Sequence, residues 1–262
     1  MQKAFLLFFI IATNLSFGQQ YGSLHIEKSK IDKNNTIYTL GKEFVFSIHI
    51  RDNNSDYFLK SNEHDDFKLT KNIDSVKISE IHLTVLKPKI FKRLIRNQTQ
   101  ILYSYEPNPT LIATTGLVEN DKNVWIHPPR AGFFQSLETC PFPYVKLNKS
   151  IGYTWTDSML INNHWSHKEW GEWEDKLLLN YEYEIVGKEN IDSKLGEIEC
   201  LIINAVAKSA IGESTLKAYF SDKYGFIKLE YKLFSGIEID LNLEKVIDGP
   251  VLRDGKEFLQ NN

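Results

Sequence analysis

Residues 162–176, NNHWSHKEWGEWEDK, concentrate the side chains of this chain that could do chemistry. His164 and His167 stand three apart, Trp165, Trp170 and Trp173 interleave and follow them, and carboxylates are scattered between. In a helix, at about 100° per residue, the tryptophans would share one side and the histidines the other. A zinc site needs three or four ligands converging at about 2 Å, and this pair supplies two. Glu174 is two turns beyond His167, too far to share an ion, and H-E-x-x-H does not occur. A metal-dependent hydrolase built on His164 and His167 would need a further ligand such as His127. Gly171 interrupts the helical pattern. The stretch therefore reads more simply as a connection pinned by its tryptophans, whose indole N–H groups reach for a partner. Trp165, Trp170 and Trp173 are also candidates for the rim of a ligand mouth.

Other catalytic signatures fail in turn. Gly212-Glu213-Ser214 lacks the closing glycine of G-x-S-x-G. There is no P-loop and no dinucleotide fingerprint, so no cofactor is expected. Cys140 and Cys200, with no C-x-x-C, exclude a thioredoxin-type site but allow one disulfide in an oxidising compartment.

These residues have to be held in place by something, and the chain ends say where. Lys3, the apolar run AFLLFFIIA and the small residues Ser16 and Gly18 read as an export signal over 1–18, with Gln19 as the mature start. The run is about half the length that spans a bilayer. The first cysteine after it is Cys140, so no lipid-anchoring cysteine stands at the cleavage point. A periplasmic or extracellular protein without a lipid anchor is expected. The formal net charge of −3 gives no hint of a nucleic-acid partner.

Residues 19–115 read as a β-rich region. KEFVFSIHI (42–50) alternates apolar and polar residues with the two-residue period of a strand. DNNSDYFLKSNEHDD reads as a polar connection. SVKISEIHLTVLK alternates again, with one break between Ile78 and Ile81 as a β-bulge would give. Pro88 opens PKIFKRLIR, a short amphipathic helix with Lys89, Lys92, Arg93 and Arg96 on its polar side. Such a face can rest in water or touch an anionic membrane peripherally.

Residues 116–176 are rich in proline and aromatics. Pro128, Pro129, Pro141 and Pro143 prevent a regular strand there. Trp125, Phe133, Phe134, Phe142 and Tyr144 beside them suggest a segment lying across an open sheet face and closing it. Alternatively, this collar lines a pocket for an apolar or sugar-like ligand.

From Leu177 the signal is clearest. Five strand-like runs are separated by short turns, SAIGE, SDKYG and SG among them. Such short turns make consecutive strands antiparallel neighbours. Residues 177–248 are thus a meander, and 249–262 a polar tail. YEIVGKENIDSKLGEIECLIINAVA and GESTLKAYFSDKYGFIKLEY resemble a pattern of exported bacterial envelope proteins of unknown function. Those are similar in outline to the lipoprotein-carrier (LolA/LolB-like) half-barrel. The resemblance covers roughly 120–246 and implies a curved antiparallel sheet around an apolar cavity, with no catalytic residues to carry over.

The expectation is a mainly β protein: an antiparallel meander forming an open half-barrel or clam, with short helices and a covering segment. Its function would be binding of a lipid or other amphipathic small molecule. A structural or interaction module with a filled core, meeting its partner at a sheet edge, is the alternative.

Overall fold

The alternation in KEFVFSIHI becomes strand β1 (Lys42–Asp52), with Phe44, Phe46 and Ile50 buried. The structure is a computed structural model that describes residues 32–53, 55–61, 67–72, 77–87 and 98–261. The export signal and the basic segment with Lys89, Lys92, Arg93 and Arg96 lie outside the described residues.

After β1 comes β2 (Ser55–Ser61), which pairs with β1 and carries β3 (Phe67–Thr70) and β4 (Lys77–Ile78). The stretch expected to be a polar connection therefore contains a strand. Its signal is weak because only Leu59 of β2 is buried. The break between Ile78 and Ile81 is also not a bulge. It is a change of partner: β4 pairs with β2, whereas β5 (Glu80–Val85) pairs with β1 and with β6 (Thr99–Glu106). The sheet continues through β7 (Asn108–Glu119), β8 (Asn123–Ile126) and β9 (Tyr144–Lys146).

After β10 (Thr154–Asn162) comes the expected meander: β11 (Lys176–Ser193), β12 (Gly196–Ser209), β13 (Gly212–Ser221), β14 (Gly225–Lys232) and β15 (Glu238–Asp248). Two of its turns use one device. In Ser193-Lys-Leu-Gly196 and Ser209-Ala-Ile-Gly212, the serine Oγ accepts the N–H two residues on and donates to the glycine carbonyl. The glycines close the turns at φ of 100° and 135°, where a side chain would be strained. Gly187 marks a bulge, and β11 runs on to Ser193.

The strand order is β10-β11-β12-β13-β14-β15-β1-β5-β6-β7-β8-β9, every neighbour antiparallel. Among the described residues no ladder joins β9 to β10, so the sheet is not closed. It curves far enough for Tyr144 of β9 and Trp155 of β10 to touch, and its concave side encloses one core. This is the expected open antiparallel half-barrel. A second, small cluster of Leu86, Leu102, Leu252 and Phe258 lies under the C-terminal helix Gly255–Asn261. Asp254 caps that helix by accepting the Glu257 N–H at 3.1 Å.

Residues 127–143 cover the inner face of the sheet, as expected of the proline- and aromatic-rich segment. They run through its concave interior as a plug, with a 3₁₀ helix at Gly132–Thr139. The prolines explain the absence of strand, and the sheet supplies the partners that strand pairing would have given. Tyr103 of β6 donates to the His127 carbonyl at 2.8 Å, Tyr183 of β11 to that of Phe142 at 3.2 Å, and Ser214 of β13 to that of Thr139 at 2.7 Å.

Candidate functional site

The aromatic collar is part of this plug and of the strands around it. Trp125, Phe133, Phe134, Phe142, Tyr144 and Trp170 are buried in the main core. Phe134 stacks on Tyr105 of β6 at 5.6 Å, and Phe142 approaches Trp125 at 5.7 Å. The cavity left between plug and sheet, beside Phe46, Leu83, Tyr103, Pro128 and Phe226, holds about 20 Å³. That is about the room one water needs, in an apolar setting. The collar fills the interior here.

The 162–176 stretch is not a helix. A single 3₁₀ turn, Asn163–Trp165, is followed by a narrow loop closed between His167 and Gly171. Trp170 Nε1 donates to the Trp165 carbonyl at 2.8 Å, and the Trp173 N–H donates to Ser166 Oγ at 3.0 Å. Trp165 and Trp173 are half-buried against the core. His167 stacks on Trp170 at 4.3 Å, and the exposed His164 leans on Trp165. The histidines thus stand beside tryptophans. Among the described residues no group of three or more His, Cys, Asp or Glu is placed to hold a metal. His127 is far from solvent: its Nδ1 lies 2.8 Å from the Pro128 carbonyl and its Nε2 3.3 Å from Glu138 Oε1. Burial pushes its pKa down to about 3, so the ring is neutral.

The disulfide that Cys140 and Cys200 could have formed is not made; both are buried free thiols. The topology explains why. Cys140 interacts with Ser214, which pairs with Ala207 of β12. Cys200 is seven residues further along β12, about 23 Å at a strand's rise. A bridge needs Cα atoms within roughly 7 Å.

The polar cavity with the best-defined chemistry is on the convex face. Glu43 of β1, His82 and Thr84 of β5, and Ser104 and Glu106 of β6 line a cleft of about 300 Å³. Register places them together: Glu43 is opposite Thr84, His82 opposite Ser104, and Glu80 opposite Glu106. The far wall is Pro250, Leu252 and Phe258, brought there by the C-terminal segment. His82 Nδ1 bonds Glu43 Oε1, and its Nε2 lies 3.3 Å from Glu80 Oε2. The Glu43 hydrogen bond raises the imidazole pKa above its ordinary value, against the opposing effect of burial. The Thr84 hydroxyl is buried and has no hydrogen-bond partner among the described residues.

Sequence reasoning passed over this cluster. The alternation that buried Ile81, Leu83 and Val85 also implied that Glu80, His82 and Thr84 share the opposite face. What it lacked was the knowledge that β1, β5 and β6 are neighbours.

No protein-family model matches the chain. No characterised protein matches its sequence either. Among solved structures it is similar to an exported protein with a YmcC-like fold from Bacteroides fragilis. The identity is 8%, with 80% of this chain and 97% of that chain covered and a TM-score of 0.46. It is similar to a lipoprotein from Parabacteroides distasonis at 12% identity, over 80% of this chain and 97% of that one, with a TM-score of 0.44. The lipoprotein YmcC from Escherichia coli matches at 11% identity, over 77% of this chain and 84% of that one, with a TM-score of 0.37. At this distance the likenesses carry no functional argument for this chain.

Proposed function

We propose that this is a non-catalytic protein of the bacterial envelope that works from its surface, accepting an extended segment of a partner protein along β10. The export-signal pattern of residues 1–18 supports the location. A lipid carrier of the half-barrel kind needs an open concave side, and here residues 127–143 occupy it. The observation that carries the reading is the edge strand itself.

Among the described residues β10 pairs with one strand, β11, along all nine of its positions. Its sequence, TWTDSMLIN, contains neither proline nor lysine, and its one charged residue, Asp157, turns Oδ1 back to the neighbouring Ser158 N–H. Leu160 and Leu178 pair directly across the two strands, and their side chains are 41% and 49% exposed. An unpaired edge beside exposed leucines suits strand addition by a segment with apolar residues at alternate positions.

Ser158 offers a clean test, because its N–H turns to Asp157 Oδ1 at 2.8 Å rather than to β11. Ser158→Pro replaces that N–H with a ring on the open edge, where it obstructs an added strand, and leaves the β10–β11 ladder in place. A photo-reactive side chain at Thr156 should crosslink to a defined protein in the envelope fraction. Ser158→Pro should abolish that crosslink at unchanged melting temperature. A native mass spectrum showing a stoichiometric lipid, with no edge crosslink, would overturn the reading in favour of a carrier.

A further inference from the structure

We infer that the convex cleft above His82 is a second binding site, for a small organic cation: a protonated amine on a short apolar body. It is separate from the β10 edge and independent of what binds there.

Charge is the first argument. Among the described residues His82 is the one cleft-lining side chain that can carry positive charge, and its two nitrogens are already turned to Glu43 and Glu80. Glu106 remains, directly opposite Glu80 on the neighbouring strand. Like charges across adjacent strands are destabilising unless a cation sits with them. The cleft therefore carries net negative charge at its Glu106 end.

Unsatisfied polarity is the second argument. The Thr84 side chain is 4% exposed, lines the cleft, and its hydroxyl has no partner among the described residues. Buried hydroxyls are nearly always paired, so an orphan at a cavity wall marks the place of a missing donor or acceptor. Ser104, equally buried, lines the same floor between His82 and Glu106.

An ammonium group has three donors and no acceptor. Glu106, Thr84 and Ser104 offer it oxygen acceptors. The cluster does not suit a metal ion: no set of three or more ligand side chains converges among the described residues. Pro250, Leu252 and Phe258 give an apolar body somewhere to lie, and a phenyl ring can also face a cation. A volume of about 300 Å³ is at the small end of ligand pockets.

The test uses n-butylammonium as the probe, n-butanol as its neutral counterpart, and sodium chloride and calcium chloride as salt controls. The readout is the His82 imidazole signal by NMR, assigned by its loss in His82→Gln, with the melting temperature alongside. Butylammonium should shift the His82 signal saturably and raise the melting temperature, while butanol and sodium chloride at matched ionic strength do neither. Glu106→Gln should weaken the apparent affinity roughly tenfold or more, since it removes a charge-assisted contact. If that variant does not fold, Ser104→Ala should weaken binding in the same assay. No saturable response, an equal response to sodium chloride, or a response to calcium alone overturns the assignment.

Discussion

The Tyr144 ring of β9 lies 5.4 Å from the Trp155 ring of β10, although these strands are the two opposite ends of the sheet. Trp155 also stacks on Tyr183 of β11 at 5.1 Å, nearly parallel. The ends of the open sheet are thus held by aromatic contact where no hydrogen-bond ladder joins them. Trp155→Ala should cost about 3–5 kcal/mol in urea unfolding, the usual loss for a buried aromatic. Trp155→Phe should cost far less, because it keeps a ring in the stack and removes a buried indole N–H that has no partner.

Glu119 should be as sensitive, for a polar reason. Its carboxylate is buried, and it accepts four hydrogen bonds: from the Thr36 N–H and Oγ1, and from the Ile37 and Tyr38 N–H groups. Glu119→Ala leaves those donors unpaired and should cost roughly 3 kcal/mol or more. Glu119→Gln should recover only part, since its NH₂ would face donors on one side. Chemical denaturation of the three proteins checks the order.

Neither thiol should react in the folded protein. Burial pushes Cys140 up to about 12 and Cys200 up to about 11, so the thiolate is scarce as well as hidden. A thiol reagent should label both only after unfolding. The intact mass should not change on reduction.

Much of the fold is legible in the sequence, and the limits are physical. The meander can be read because its turns are short, two of them with Ser and Gly at fixed places, and because β11 alternates cleanly over Lys176–Glu184. β2 is not legible, since SDYFLKS buries one leucine and looks like a loop. The route of residues 127–143 is legible only in part. Proline and aromatic content gives an irregular, apolar segment that covers a sheet face, but not which strands it meets. The His82 cleft joins residues from four stretches, around 43, 82, 104 and 250–258, whose adjacency depends on strand order and on the path of the C-terminal segment.

His82 should also make stability depend on pH. Its pKa is raised in the folded state by Glu43, with Glu80 adding to the effect. The folded state therefore binds the proton more tightly than the unfolded chain. The resulting stabilisation is complete below the unfolded value near 6.5 and is lost as pH rises through the folded value. Urea midpoints should fall over that range, and His82→Gln should flatten the slope there.

The plug begins and ends beside itself, for the Ile126 N–H donates to the Pro143 carbonyl at 3.0 Å. It therefore behaves as a ligand tethered at both ends to its own receptor. Tethering sets an effective concentration on the order of millimolar or higher for short links. A diffusing apolar molecule would have to displace an occupant that never leaves. Occupancy of the concave side is consequently set by the length of the chain between β8 and β9, and shortening that connection is the change that would turn this interior into a binding site.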